Sequence, residues 1–272
     1  MSMAWPIHDL TLALDAVVPG CVVEVVPSVD STNSELMRRA RAGQLAPTLL
    51  VAERQTAGRG RLGRVWLSDN AADRAGAGTT GAATPLPVLM FSLSLALAPQ
   101  DWSGLSLAVG VSVAQALHPK LQLKWPNDIW VQNRKLAGIL IETAGVGEHR
   151  VAVIGVGINI TPRDPAGMST APACLQEVMP QCDAPAALMR VAPALAQAVR
   201  TFESQGFAAF HAAFAQRDVL RERPVQLSDG TCGSAIGVNE RGALLVHTSS
   251  GMKIVTSAEV SVRPVGERAG SR

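Results

Sequence analysis

Residues Gly58 to Trp66 read GRGRLGRVW, and the first six spell G-x-G-x-x-G. Two unrelated nucleotide-binding folds use that spacing, so the reading of this loop decides the fold. A dinucleotide-binding turn would run from Gly58, Gly60 and Gly63 straight into a helix, with an acidic residue about 20 positions further on. Here VWLSDN follows, and then a stretch rich in Gly, Ala and Thr from Ser68 to Pro85 that has no apolar periodicity. That stretch is expected to be a mobile surface insertion. A protein kinase loop would fit one residue more, because Val65 completes G-x-G-x-x-G-x-V, but V-A-I-K, H-R-D and D-F-G do not occur in the sequence. The filling between the glycines is what distinguishes the loop. Arg59, Arg61 and Arg64 put guanidinium groups on a backbone loosened by glycine, a combination suited to wrapping a polyanion. A solvated basic turn is the plain alternative. An RNA-binding Arg-Gly segment is a third, with only Trp66 adjacent for stacking.

Working outward, TLLVAERQ (Thr48 to Gln55) reads as a buried strand that delivers the loop, and Asp30-Ser31-Thr32-Asn33 with Glu35 reads as a capped helix start. Downstream, Ser103 to His118 has the length and apolar content of a buried helix, and LQLKW, DIWVQ, KLAGILIETA and RVAVIGVGINI follow as strands. Asn133-Arg134 is expected to turn the second of these into the third. Two helices are expected from about Pro185 to Ser204 and from Phe207 to Arg217. After Arg221 the pattern becomes short strands separated by turn signals. The fold class is therefore α/β (α+β), with a mixed β-sheet domain over residues 1–220 and a small β-barrel over 221–272.

Composition narrows the function. Lys and Arg number 24 against 22 Asp and Glu, a net charge of +2 over 272 residues, so no overall basic field points to nucleic acid. Cys21, Cys174, Cys182 and Cys232 form no C-x-x-C pair and read as reduced thiols of a cytoplasmic protein. Acidic residues interrupt the apolar N-terminal run and no basic segment precedes it, which argues against a signal peptide. The apolar run Pro87 to Pro99 is well short of the ~20 residues that span a bilayer.

A second constellation lies at Lys124-Trp125-Pro126-Asn127-Asp128, where Pro126 ends regular strand pairing and turns the polar side chains that follow. The hairpin returns with Lys135-Leu136-Ala137-Gly138-Ile139-Leu140, so Lys135 can lie against that turn. Either lysine alone reads as a surface residue with a snorkelling stem. Held together among apolar neighbours, with Gly155 and Gly157 of IGVGIN letting a strand carry Asn159 past a ligand at close range, they read as a site.

These motifs together strongly resemble a biotin protein ligase (biotin-[acetyl-CoA-carboxylase] ligase). The matching residues are Ser31-Thr32-Asn33, Gln55 with Gly58 to Trp66, Lys124 to Asp128, Lys135 to Leu140, and Gly155 to Asn159. They occur in the family's order and spacing, and the terminal β segment resembles its SH3-like domain. The resemblance implies a ligase that makes biotinyl-5′-AMP from biotin and ATP and passes biotin to one lysine of a biotin carboxyl carrier protein, with Mg2+ expected on the triphosphate. It implies biotin contacts from Ser31, Thr32, Asn33, Gln55, Arg59, Gly60, Arg61, Lys135, Gly138 and Gly155. Contacts to ATP and adenylate are implied for Arg59, Arg61, Arg64, Trp66, Lys124, Asn127, Lys135 and Asn159.

Lys135, Arg61, Lys124 and Asp128 are the implied catalytic group, with Lys135 bridging carboxylate and phosphate. Asp128 could hold Lys135, orient the acceptor lysine or help to remove its proton; a turn-capping carboxylate is its plain alternative. Only about 30 residues precede Ser31, which implies a ligase without the DNA-binding domain of bifunctional ligase-repressors. The segment after Trp66 is longer than usual and lacks the asparagine followed by apolar and aromatic residues expected there. A lipoate or octanoate ligase or transferase of the same fold, and a non-enzymatic biotin-sensing regulator, are the competing readings.

Overall fold

The computed structural model describes residues 4–66, 86–163 and 172–256, and the backbone of 262–264. The expected insertion from Ser68 to Pro85 lies outside the described residues. Strands β1 (Val22–Val26), β2 (Thr48–Ala52), β3 (Val88–Ala96), β4 (Gln122–Lys124), β5 (Asp128–Val131), β6 (Arg134–Val146) and β7 (His149–Asn159) form one sheet in the order β1-β2-β3-β7-β6-β5-β4. Only β1 and β2 pair in parallel; the other neighbours are antiparallel.

The two faces of this sheet follow from alternation along each strand. On β7, Ala152, Ile154, Val156 and Ile158 enter the main core, together with Leu89, Phe91, Leu93 and Leu95 of β3. That core is closed by α1 (Ile7–Asp15), α3 (Leu105–Leu117), α4 (Ala184–Gln205) and α5 (Ala208–Ala215). The opposite face of β7 presents Val151 and Val153, which pack with Leu36, Met37 and Ala40 of α2 (Thr32–Arg41) in a second, smaller core. Continuing along that face, the next residues are Gly155 and Gly157. The apolar cover therefore ends and a hollow opens beside the start of α2.

Local signals explain the helix ends. Ser31 caps α2 by accepting the Ser34 N–H, Asp183 caps α4 by accepting the Ala186 N–H at 2.9 Å, and Pro185 stands in the first turn of α4, where its missing N–H costs nothing. The hairpin between β5 and β6 turns on Gln132 and Asn133, both at positive φ (51° and 58°), so the expected Asn133-Arg134 turn lies one residue earlier and Arg134 already pairs with Val131. The paired positive φ values give the twist that a tight hairpin needs.

Strands β8 (Pro224–Leu227), β9 (Cys232–Val238), β10 (Leu244–Thr248), β11 (Gly251–Val255) and β12 (Val262–Pro264) make a second, antiparallel, SH3-like sheet in the order β11-β10-β9-β8-β12. Among the described residues no ladder joins β11 to β12. Buried Trp125 donates its indole N–H to Gly242 O of this sheet at 3.0 Å, and a His211 ring nitrogen meets Val238 O at 2.8 Å. These bonds fasten the small sheet to the Lys124 to Asp128 turn and to α5.

Candidate active site

The hollow on the α2 face is a cleft of about 150 Å³. Its lining brings together Ser31, Thr32, Asn33, Gln55, Arg59, Gly60, Arg61, Arg64, Trp66, Asn127, Asp128, Lys135, Gly138 and Gly155, residues spread over more than a hundred positions of sequence. Lys124 and Asn159 do not line it. Lys124 is buried on the same face one strand further out, with its ammonium 4.1 Å from the centre of the Trp130 ring. Asn159 is buried at the end of β7, donating to Ala173 O at 3.1 Å and accepting from Arg163 at 3.2 Å. Both share the cleft face, but Lys124 stands one strand beyond Asp128 and Asn159 stands at the end of β7, past Gly157, so neither reaches the hollow.

The glycines of β7 admit protein side chains. A methyl group at Gly155 would stand 2.2 Å from Asn33 Oδ1, and one at Gly157 would stand 2.6 Å from the Trp66 indole. Trp66 thus lies against Gly138 of β6 and Gly157 of β7, with the Lys135 ammonium 5.4 Å from its ring centre. The arginine loop closes on itself through Gly60 N–H to Arg64 O at 2.7 Å and Trp66 N–H to Gly58 O at 2.9 Å. It contains a single 3₁₀ turn, Arg61–Gly63, and no α-helix follows before Trp66. Its apolar residues Leu62 and Val65 are exposed.

Charge gathers at one end of the cleft. Lys135 Nζ lies 2.7 Å from Asp128 Oδ1, and Arg59 lies 3.4 Å from Glu142 of β6. Burial pushes the Arg61 guanidinium below its ordinary pKa; the Asp128 carboxylate opposes that shift and neighbouring Arg64 adds to it. Asn127 donates to Ile139 O at 2.8 Å and accepts the Ile139 N–H through its own backbone oxygen at 3.0 Å, which extends the strand pairing past the point where Pro126 breaks it.

The other end is lined by uncharged polar side chains, with the Arg59–Glu142 pair at its edge. Gln55 Oε1 accepts the Thr32 N–H at 2.8 Å, and Asn33 donates to Leu140 O and to Glu142 at 3.3 and 3.1 Å. Sequence reasoning missed Ser92 and Glu142, which tie this end together. Ser92 is fully buried on β3, 2.7 Å from both Thr32 Oγ1 and Asn33 Oδ1. A serine inside the apolar run VLMFSLSLA carries no motif. For Glu142 there was a usable signal, a carboxylate in an otherwise apolar strand.

A neutral hydrogen-bonding pocket that runs into a cationic end suits a ligand with a polar, uncharged head and an anionic tail. Comparison with known proteins agrees with that chemistry. Residues 25–159 match the Biotin/lipoate A/B protein ligase family, and residues 223–263 match the Biotin protein ligase C terminal domain. Bifunctional ligase/repressor BirA of Escherichia coli is 34% identical over 255 residues, covering 90% of this chain and 75% of that protein. Biotin--[acetyl-CoA-carboxylase] ligase of Paracoccus denitrificans is 32% identical over 242 residues, covering 85% of this chain and 96% of the relative. Among solved structures, biotin protein ligase from Aquifex aeolicus in complex with biotin and ATP superposes with a TM-score of 0.71 at 29% identity, covering 89% of this chain and 98% of the other. Both matched segments are present, and the Paracoccus ligase is matched over nearly its whole length, so this chain belongs to the biotin protein ligase family.

Proposed function

We infer that the chain activates biotin with ATP to biotinyl-5′-AMP and transfers the biotin to a lysine of a biotin carboxyl carrier protein. The observation that carries this reading is the joining of a neutral, hydrogen-bonding pocket (Thr32, Asn33, Gln55) to a cationic end (Arg59, Arg61, Lys135) in one cleft. A carboxylate oxygen of biotin attacks the α-phosphorus and the bond to pyrophosphate breaks. Both reactants are anions, so rate depends on fixed positive charge placed where they meet. Lys135 is suited to bridge them, and Asp128, in contact with its ammonium, is suited to hold it there. In the second step the acceptor lysine, as the free amine, attacks the acyl carbon, AMP leaves, and the amine gives up a proton.

Among the described residues no group of three or more His, Cys, Asp or Glu side chains could hold a metal ion. Asp128 in the cleft lining and Glu142 behind it are each engaged by a cation. That donor set fits Mg2+ carried in by the triphosphate oxygens better than a cage built by the protein. We place the domain boundary at Leu220/Arg221, just before the small sheet. Among the described residues no helix is long and apolar enough to cross a membrane.

The reading is tested by incubating the protein with ATP and labelled pyrophosphate, with biotin or lipoate, and then with a purified carrier domain. Biotin-dependent exchange followed by labelling of the carrier is expected. Exchange with lipoate and none with biotin would replace it by the lipoate reading.

A further inference from the structure

Apolar burial does not hold the arginine loop in place. Leu62 at its tip and Val65 on its returning arm are 66% and 70% exposed. Gly58, Gly60 and Gly63 also leave its backbone a wide choice of conformations. Within the loop Arg59 bridges Val65 and the Gly60 N–H meets Arg64 O, which makes a small hairpin rooted at Arg59. From that root Arg59 Nη1 stands 3.4 Å from Ser34 Oγ of α2 and 3.4 Å from Glu142 Oε1 of β6. The other carboxylate oxygen of Glu142 accepts the Asn33 amide N–H at 3.1 Å. Glu142 pairs with Val153 of the smaller core, two residues along from Leu140, which lines the cleft and pairs with Gly155. A carboxylate therefore stands where the smaller core ends and the cleft begins, held on one side by Asn33 and turned on the other to the root of the loop.

We propose that Glu142 is a positioning residue that clasps the arginine loop over the cleft through Arg59 and so sets how long a bound ligand stays. This rests on the biotin reading, with biotin as the ligand whose release is followed. Gly60, Arg61, Arg64 and Trp66 line the cleft and follow Arg59 in the chain, so tying Arg59 to β6 narrows the conformations that those groups sample. Without the Glu142 charge the loop opens more often and release speeds up. Entry uses the open loop in either case, so association hardly changes. The Arg59 side chain is 51% exposed and that of Glu142 24%, so the clasp has the modest strength of a partly screened ion pair. Glu142→Gln keeps the shape but has one acceptor oxygen, for which Asn33 and Arg59 must compete.

The test is the association rate of radiolabelled biotin and its release into excess unlabelled biotin, in wild type, Glu142→Gln, Arg59→Ala and the double variant. Release from Glu142→Gln is expected to be about two- to fivefold faster than from wild type, with association within about twofold. In the Arg59→Ala background the same substitution should add nothing, because the partner of the clasp is already gone. The gap between wild type and Glu142→Gln should shrink in 1 M KCl, which screens an exposed pair. Glu142→Asp keeps the charge on a shorter stem and should fall between; if Glu142→Gln does not fold, Glu142→Asp decides the question by the same comparison with Arg59→Ala. An equal acceleration in both backgrounds would show that Glu142 acts through Asn33 and overturn the proposal, as would a gap undiminished in 1 M KCl. Slower release from Glu142→Gln would mean that the carboxylate competes with the ligand for Arg59, and would overturn it too. A wild type that binds no biotin would overturn the biotin reading and this inference with it, whereas a wild type that binds biotin and releases it no more slowly than Glu142→Gln would overturn the inference alone.

Discussion

The Lys135 ammonium and the Asp128 carboxylate meet at 2.7 Å across the hairpin of β5 and β6, and the same lysine reaches over the Trp66 ring at 5.4 Å. A lysine with a long flexible stem is thereby held at one point of the cleft. If Lys135 bridges the reacting anions as proposed, Lys135→Ala removes a charge-assisted contact worth roughly 1.5 to 3 kcal/mol, and biotin-dependent pyrophosphate exchange should fall about 10- to 100-fold or more. Wild-type exchange in a folded Lys135→Ala protein would remove this residue from the mechanism.

Asp128→Asn separates the roles that the carboxylate could play. If Asp128 holds Lys135, exchange and transfer to the carrier should fall together, by about 10-fold for a displaced ammonium. If it helps to deprotonate the acceptor, single-turnover transfer from preformed adenylate should fall while exchange stays near wild type. The ion pair favours the first outcome.

The placement of Trp66 can be checked without substrate. Gly157→Ala puts a methyl 2.6 Å from the Trp66 indole, and the same indole lies 3.0 Å from a methyl built on Gly138. Overpacking of this kind costs about 1 to 3 kcal/mol, so the urea midpoint of Gly157→Ala should drop measurably. In a Trp66→Ala background the same glycine substitution should be close to neutral. An equal loss in both backgrounds would show that Trp66 is not what Gly157 accommodates.

The parts of the site legible in the sequence are those whose chemistry is local. Glycine spacing and arginine filling marked the loop at Gly58 to Arg64, and Ser31 announced the start of α2. Five strands of the sheet, β2 and β4 to β7, were legible from their apolar runs while β1 and β3 were not read as strands, and the glycine-floored face follows once β7 is known to alternate between two cores. What the sequence hides is register. Ser92 becomes part of the site only when β3 pairs with β7 so that Ser92 stands opposite Gly155, and Lys124 leaves the cleft only because its strand lies one place further out, over Trp130. Neither pairing is written in the residues themselves.

Arg61 touches both the main cleft and a neighbouring one of about 400 Å³, lined by Trp102, Trp125 and Gly242 and running between the two sheets. It is thus placed to close the way out for an intermediate. If Arg61 contacts the adenylate as the biotin reading implies, Arg61→Gly removes that contact and frees the loop backbone, so escape of biotinyl-5′-AMP should speed up more than its synthesis slows. Released mixed anhydride acylates exposed lysines without selection. Mixing the variant with ATP, biotin and serum albumin should therefore label the albumin at least several-fold above wild type. Labelling of the carrier domain alone would make the loop a static wall.

Asp218 lies where the main sheet hands over to the small one, pairing with Leu123 beside β4. Burial pushes its carboxyl up to about 6, a shift that the Leu220 N–H and the charge of Arg221 only partly offset, and its Oδ2 is buried without a hydrogen-bond partner. The folded state thus holds the proton more tightly than the unfolded chain, whose Asp titrates near 3.8. The stabilisation that follows is fully present below the unfolded value and is lost as pH rises through about 6. At neutral pH the fold therefore carries a buried charge at a cost of the order of 1 to 3 kcal/mol. Asp218→Asn keeps an oxygen to accept the Leu220 N–H and removes the charge. Its melting temperature should exceed that of wild type at pH 7.5 by several degrees, and the gap should narrow as pH falls through 6 and close near pH 4. A constant gap across that range would assign the effect to packing, and a lower melting temperature at pH 7.5 would show that the ionised carboxylate is itself stabilising at this joint.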